Sequence, residues 1–328
     1  MLHGPLRTIA SHLTALSALG LSVACDPEDV PESCFPVPAE EVLRAAHPGS
    51  DRELQGSSMQ GSGMQGTTYQ GTTYQGTTYQ GTSYQGTYLG LGDLNGARFE
   101  LSGSSTVMTV RDGRLVALGD RGADAPLPAN LLVQTRDGRE IAMRVTTVET
   151  IGDGERFAML VGRVPVCEPG DEGVFVAGHW DETGAHSIDG DELTYSCMSG
   201  VIAKCVAWGY APWLVGADVH QACTRLARAD YCGDGNPWTL DGTMIDVYDD
   251  LGVQTPVDDP QFSFEAAWGS DGAVCVNETR YVVEDGDGRA VRPACFADLP
   301  TCTSLQQATA LGAVLANDSA HATIDACE

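Results

Sequence analysis

Residues 220–235 read HQACTRLARADYCGDG and lie in the most cysteine-rich part of the chain. If Val219–Ala229 is helical, His220 and Cys223 lie three residues apart on one face of that helix. Cys232 lies three residues after the end of that helix, and it directly precedes a Gly-Asp-Gly sequence that is typical of a turn. The fold of this half of the protein therefore depends on the chemistry of its cysteines.

The chain has 11 cysteines in 328 residues, most of them after residue 166. In an oxidising compartment such a set predicts a disulfide framework. Structural zinc is disfavoured because no two cysteines have the short C-x-x-C spacing. The connectivity stays open, and sequence neighbours such as Cys197–Cys205, Cys223–Cys232 and Cys295–Cys302 are candidate pairs only. The disulfide candidates are Cys34, Cys167, Cys197, Cys205, Cys223, Cys232, Cys275, Cys295, Cys302 and Cys327.

The N-terminus has the features of an export signal. Its apolar run, Leu13–Ala24, has 12 residues, and this is shorter than the roughly 20 needed to span a bilayer. The run ends in LSVAC (residues 21–25), which resembles the lipobox of bacterial lipoproteins, with Ser22 where Leu is usual. That resemblance implies removal of residues 1–24 as a signal peptide and lipidation of Cys25. The number of cysteines agrees with lipidation, because 11 − 1 = 10 is even and all ten can form disulfides. The alternative is cleavage to a soluble secreted protein.

Two segments of low complexity follow. Residues 25–52 are rich in Pro and Glu and predict a tether. Over residues 53–100 a large residue recurs at every fifth position from Leu54 to Phe99, and residues 67–81 are three copies of Thr-Thr-Tyr-Gln-Gly. A period of five fits neither a helix nor a strand.

This segment resembles the pentapeptide-repeat family, which implies a square solenoid with the large residues inside. Tyr and Met replace the family's Leu and Phe at most of these positions, and a buried Tyr hydroxyl needs a hydrogen-bond partner. The alternative is a spacer rich in Gly, Thr and Gln.

Residues 101–190 predict an antiparallel β region. Strand-like sequences at 106–110, 131–134, 141–145 and 156–166 are rich in β-branched and large apolar residues. Asp112-Gly113 and Asp137-Gly138 each separate two such runs, which is a strong hairpin signal. We therefore expect an antiparallel sheet or a small sandwich.

The charge balance is strongly acidic, with 18 Lys and Arg against 45 Asp and Glu. Of these charged residues, only Arg7 lies in the first 24 positions. The mature chain would therefore have a net charge of 17 − 45 = −28. Such a surface repels phosphate backbones, so nucleic acid is excluded as a partner. The charge is typical of solubility outside the cytoplasm.

Three stretches of the C-terminal half have an unusual sequence. They read KCVAWGYAPW (204–213), HQACTRLARADYC (220–232) and AAWGSDGAVC (266–275). They resemble the ADYC domain, a bacterial family named for an Ala-Asp-Tyr-Cys motif that is present here at Ala229–Cys232. The resemblance covers about residues 190–305 and implies an exported bacterial protein without an assigned activity.

The same half contains side chains suited to acid–base chemistry, since suitably spaced carboxylates could hydrolyse glycosidic bonds. A cysteine nucleophile at Cys223 is disfavoured because a disulfide sulfur is not a thiolate. No cofactor is expected, with calcium as the alternative, although Asp189–Leu193 and Asp285–Arg289 both depart from the calcium-loop pattern. The candidate cluster consists of His220, Asp230, Asp234, Asp241 and Asp246.

Four aromatic residues of this half allow two interpretations. They could line a carbohydrate groove, or they could fill a small core around the disulfides. These residues are Trp208, Trp213, Tyr231 and Trp238.

The sequence thus predicts a β-rich α+β protein. A short pentapeptide-like solenoid or spacer is followed by an antiparallel β domain and by a disulfide-rich α+β domain over 191–328. The expected function is that of a non-catalytic lipoprotein of the bacterial cell envelope, with a structural or recognition role and an envelope glycan or protein as partner. An extracytoplasmic hydrolase that uses residues 220–249 is the alternative.

Overall fold

A computed structural model describes residues 77–79, 85, 94–118, 128–151, 154–168, 170–240, 243–284 and 289–325. The expected signal peptide, the lipidation site Cys25, the tether and most of the repeat lie outside these residues, as do Cys34, Asp241 and Cys327. Within the described part, no helix is long and apolar enough to cross a membrane.

Strands outnumber helices in the described residues. The strands are β1 (Thr77–Tyr79), β2 (Arg98–Leu101), β3 (Met108–Arg111), β4 (Arg114–Ala117), β5 (Asn130–Gln134), β6 (Glu140–Ile151), β7 (Gly154–Val161), β8 (Val164–Pro165), β9 (Gly173–Ala177), β10 (His179–Trp180), β11 (His186–Ser187), β12 (Leu193–Cys197), β13 (Met244–Asp249), β14 (Ser263–Gly269), β15 (Gly272–Val276), β16 (Tyr281–Glu284), β17 (Ala290–Val291), β18 (Leu315–Ser319) and β19 (Ala322–Asp325). The helices are α1 (Val201–Ala207), α2 (Pro212–Val215), α3 (Ala217–Arg228) and α4 (Leu305–Ala310).

The predicted antiparallel β region is confirmed. Most of its strands form one sheet with the order β12-β9-β7-β6-β5-β2, in which β8 also pairs with β7, while β3–β4 and β10–β11 form separate two-stranded sheets. Its core is aromatic: the ring of Phe175 lies 5.0 Å from that of Phe99 and 5.1 Å from that of Phe157. The Tyr195 hydroxyl, on β12, donates to the Phe157 carbonyl at 2.6 Å. Because β12 pairs with β9, the sheet continues to Cys197, beyond the expected division at residue 190.

Both predicted Asp-Gly hairpins are present. Asp112 and Gly113 connect β3 to β4 with φ values of 51° and 71°, the left-handed conformations that favour these residue types. A Cβ at Gly113 would lie 2.5 Å from Cζ2 of Trp213. This turn therefore needs glycine both for its backbone and for the close approach of α2.

A second sheet forms the C-terminal half, with the strand order β1-β13-β18-β14-β15. Helix α3, which begins and ends within two residues of its prediction, packs on β14, β15 and β18. The core between them is built around Trp268 and Leu226, both fully buried. A smaller sheet, β17-β16-β19, includes a parallel pair between β16 and β19.

The eight described cysteines form four disulfides, which confirms the framework but not the neighbour pairs. The bonds join Cys167–Cys197, Cys205–Cys223, Cys232–Cys295 and Cys275–Cys302. The pairs proposed from sequence proximity are wrong because each of these six cysteines bonds to a cysteine at least 18 positions away. Cys197, for example, lies in β12 of the first sheet, while Cys205 in α1 faces α3.

The longest cross-link joins residues 63 positions apart, Cys232 and Cys295. On the chain-entropy model, closing a loop of this length stabilises the folded state by about 4 kcal/mol. The disulfide therefore fixes the turn after α3 to the segment after β17.

A few residues of the repeat are described, and they contact both sheets. Strand β1 pairs antiparallel with β13, with Thr77 opposite Asp246. Gln85 is buried; its Nε2 donates to the Tyr195 carbonyl at 3.0 Å. Phe99, predicted as the last inner residue of the repeat, is buried in β2 of the first sheet. Residues 98–100 thus belong to that sheet and not to a solenoid coil.

Candidate functional site

The Ala-Asp-Tyr-Cys motif forms the turn that ends helix α3. Ala229 has a φ of 52°, the left-handed conformation that often follows the last helical residue. Its N–H donates to the Leu226 carbonyl, and the N–H of Asp230 donates to the Arg225 carbonyl at 2.9 Å. The turn therefore orients the side chains of Asp230 and Tyr231 into the protein.

Asp230 is fully buried, and its carboxylate accepts hydrogen bonds from three groups. One is the guanidinium of Arg225 on the last turn of α3. The others are the backbone N–H groups of Asp234 and Gly235, both at 3.1 Å. Burial raises the pKa of Asp230, and the Arg225 charge opposes that rise. Asp230 thus holds the end of the helix and the following turn together.

Tyr231 belongs to a buried polar network with Glu265 and Arg280. Its hydroxyl donates to Glu265 Oε1 at 2.8 Å and accepts the backbone N–H of Arg280 at 2.7 Å. The Arg280 guanidinium contacts both Glu265 oxygens, at 3.0 and 3.1 Å. Burial raises the pKa of Tyr231 well above its usual value, so the hydroxyl stays protonated.

The remaining polar atoms of this network also have partners. Arg280 Nη2 donates to the Leu226 carbonyl at 2.8 Å, and Nη1 donates to the Ala227 carbonyl at 3.2 Å. Asn317 Nδ2 donates to Glu265 Oε2 at 2.8 Å. The network therefore joins α3, β14 and β18 through charge-assisted hydrogen bonds.

Cys232 completes the motif through its disulfide to Cys295. The next residue, Gly233, has a φ of 65°, and a Cβ there would lie 1.8 Å from the Asp271 carbonyl oxygen. The β14–β15 turn thus packs directly on the backbone after the motif. The functional groups of Asp230, Tyr231 and Cys232 therefore all bond to other residues of the fold.

His220 lies on the face of α3 that meets the β10–β11 hairpin. Its Nδ1 is 2.7 Å from the Tyr210 carbonyl, so this nitrogen carries the proton of the neutral ring. Burial lowers the pKa of His220 to about 4, and the ring makes an edge contact with Trp180. Nε2 has no hydrogen-bond partner in the described part of the chain. Cys223 is oxidised, so it offers no thiolate beside His220.

Of the other candidate acids, Asp234 adjoins Asp230, whereas Asp246 lies elsewhere. Asp234 is exposed in the turn after the motif, where its Oδ1 accepts the Asn236 N–H at 3.0 Å. Asp246 lies on β13, fully buried, and its Oδ2 accepts the Val257 N–H at 2.7 Å. Asp241 lies outside the described residues. Among the residues that the structure describes, no group of three or more His, Cys, Asp or Glu side chains is placed to hold a metal ion.

Three of the four aromatic candidates are core residues, and Trp213 is half-buried. Trp208, Tyr231 and Trp238 belong to the cluster around α3, and the indole N–H of Trp238 donates to the Tyr281 carbonyl at 2.8 Å. Trp213 packs against Gly113 in the β3–β4 turn. Their positions favour packing over a carbohydrate groove.

Sequence reasoning missed Arg280 and its pairing with Glu265. The signal was weak but present, because Glu265 interrupts an apolar run in FEAAW at 264–268 and Arg280 directly precedes one in RYVV at 280–283. A charged residue inside a buried strand is usually paired. The pairing could not be identified from the sequence because the two residues are 15 positions apart in the chain.

A protein-family model matches part of the chain. Residues 123–282 match the family model described as the ADYC domain. The match confirms the domain but begins and ends earlier than the 190–305 expected, and it includes β5 of the first sheet as well as the motif. Searches of curated proteins and of solved structures gave no match.

Proposed function

We propose that this chain, which carries an ADYC domain, acts as a non-catalytic module of the bacterial cell envelope with a structural or recognition role. The observation that carries the proposal is that the side chains of the motif bond to other residues inside the protein. Asp230 pairs with Arg225, Tyr231 with Glu265 and Arg280, and Cys232 is oxidised. Side chains used in this way stabilise a fold and are not available to a substrate.

Export and lipidation are supported by the cysteines. Disulfides persist in oxidising compartments, so the four described bonds indicate a location outside the cytoplasm. The eight bonded cysteines leave 11 − 8 = 3, namely Cys25, Cys34 and Cys327. Lipid on Cys25 would leave one pair, Cys34 and Cys327, for a fifth bond. Parity thus favours the anchored protein over the plainly secreted one.

The partner proposed for the anchored module is an envelope glycan or protein. The net charge of −27 favours a neutral or cationic surface and disfavours anionic lipid headgroups and nucleic acid. The tether and repeat would place the described domains at a distance from the membrane.

An extracytoplasmic hydrolase is the second candidate, and one observation favours it. Burial raises the pKa of Asp246 to about 6, a value suited to a general acid. Against it, the Asp246 side chain is fully buried, and the Val257 backbone covers one of its oxygens.

A substrate screen separates the two candidates. Purified full-length protein is incubated with peptidoglycan, envelope polysaccharides and ester substrates, and released products are quantified for the wild type and for Asp246→Asn. We expect equal, background-level release from both, together with retention of the envelope component by sedimentation. Turnover by the wild type that is lost in Asp246→Asn would contradict the non-catalytic proposal.

A further inference from the structure

Two carboxylates face each other across the middle of the C-terminal sheet. Asp246 on β13 and Asp318 on β18 are directly opposite in the antiparallel register. Side chains at such positions lie on the same face, with Cβ atoms about 4.5–5.5 Å apart. Asp246 is fully buried, and Asp318 is half-buried. Two negative charges at this distance in a buried setting would repel each other strongly.

The hydrogen bonds of Asp246 are incomplete for an ionised group. Oδ2 accepts the Val257 N–H at 2.7 Å, whereas Oδ1 is buried without a hydrogen-bond partner among the described residues. A buried charged oxygen without a donor is costly. A protonated carboxyl carries no charge and can itself donate a hydrogen bond.

The groups that act on this pair are mostly acidic. Asp259 lies in the connection between β13 and β14 and adds negative potential at Asp246, while Glu265 on β14 does so at Asp318. The Tyr248 hydroxyl donates to Asp318 Oδ1. This hydrogen bond and the positive form of His321 act in the opposite sense, because both favour an ionised Asp318. The surroundings therefore favour a pair with one proton.

The connection between β13 and β14 depends on the carboxylates of β13. We call residues 250–262 the strap. The Asp249 carboxylate accepts the backbone N–H groups of Leu251, Val253 and Gln254, at 2.6, 3.1 and 2.7 Å. Further along the strap, Val257 donates to Asp246. The Val257 N–H favours an ionised Asp246, but burial is the larger effect and favours the protonated acid. Once the proton is lost, opening of the strap returns the charged pair to water, so ionisation acts on the strap as well as on the two strands.

We infer that Asp246 and Asp318 share one proton in the folded protein, and that losing it as the surroundings approach neutral pH weakens the attachment of the strap. Burial, supported by the neighbouring carboxylates, raises the pKa of Asp246 to about 6 and raises that of Asp318. An unfolded Asp titrates near 3.9. The stabilisation is therefore complete below about pH 4 and is lost as the pH rises towards about 6.

The test measures urea unfolding of the full chain between pH 4 and pH 8 for the wild type and Asp246→Asn. The asparagine imitates the protonated acid: its oxygen can accept the Val257 N–H, and its amide can donate to Asp318. Relative to Asp246→Asn, the wild-type unfolding equilibrium constant is expected to rise by up to about 100-fold across this range. Hydrogen exchange at strap amides should accelerate in parallel in the wild type only.

Asp249→Asn is the matched control on the same strand. The Asp249 carboxylate already accepts three N–H groups and the Tyr210 hydroxyl, so this variant should be less stable at every pH and keep the wild-type pH dependence. If Asp246→Asn does not fold, Asp318→Asn should show the same flattened profile. Identical pH profiles for the wild type and a folded variant of the pair would overturn the inference. So would stabilisation by added calcium at pH 7.5 in the wild type but not in Asp246→Asn, since the pair would then be a cation site.

Discussion

Replacement of Arg280 by Met is expected to lower the free energy of unfolding by about 3–5 kcal/mol, the cost typical of breaking a buried ion pair. Arg280 and Glu265 are both fully buried, and the Arg280 guanidinium also caps two carbonyls at the end of α3. Without the guanidinium, the Glu265 carboxylate would remain in the core with no countercharge. Urea unfolding at pH 7, followed by tryptophan fluorescence, measures the difference.

Two further variants make this result specific. Arg139→Met removes a guanidinium that pairs with Asp137 while about half exposed, so it should cost under about 1 kcal/mol. Combining Arg280→Met with Glu265→Gln removes the buried charge and should recover part of the loss. If Arg280→Met were no more destabilising than Arg139→Met, the network around Tyr231 would not have the structural role assigned to it.

Cys25→Ala is expected to transfer the protein from the membrane fraction to the soluble fraction. Acyl chains bind a bilayer with about 0.8 kcal/mol per buried CH₂, and stable attachment depends on two such signals. The sequence has 18 Lys and Arg against 45 Asp and Glu, so its charge does not favour anionic lipid headgroups. Partitioning between a detergent phase and an aqueous phase, before and after the substitution, measures the change.

Cys34→Ala is the appropriate control for this experiment, because it removes a nearby thiol and leaves the LSVAC sequence intact. It should stay in the detergent phase. Unchanged partitioning of Cys25→Ala would refute lipidation at this position and favour the plainly secreted alternative.

Local sequence predicted local structure well in this protein. Asp112-Gly113 specified the β3–β4 hairpin because few residue pairs accept two left-handed conformations in succession. Helix α3 was predicted within two residues at its start and one at its end. These elements depend on residues close together in the chain, so a single sequence contains the information.

Long-range pairing could not be obtained in the same way. The assignment of β12 to the first sheet depends on its register with β9, for example Tyr195 opposite Phe175. The disulfide partners depend on where folding places each cysteine, in an element or in a connecting segment. Cys232 therefore pairs with Cys295, 63 positions away, and not with Cys223.

The candidate site also combines residues that the sequence could identify with contacts that it could not. The sequence identified Asp230 and Tyr231 through an unusual motif, but their roles depend on Arg225, Glu265 and Arg280. Asp246 was selected as one of five polar residues, while the residue opposite it, Asp318, was not. Only the register of β13 and β18 brings those two carboxylates together.

The most direct measurement is peptide mapping of the full chain, recovered from cell membranes and alkylated without reductant. The expected result is a set of four cross-linked peptide pairs, with no alkylated thiol at the eight cysteines concerned and a lipid on the peptide that begins at Cys25. The pairs are Cys167–Cys197, Cys205–Cys223, Cys232–Cys295 and Cys275–Cys302. Recovery of these cysteines as alkylated thiols, in a chain that still carries residues 1–24, would contradict an exported protein braced by disulfides.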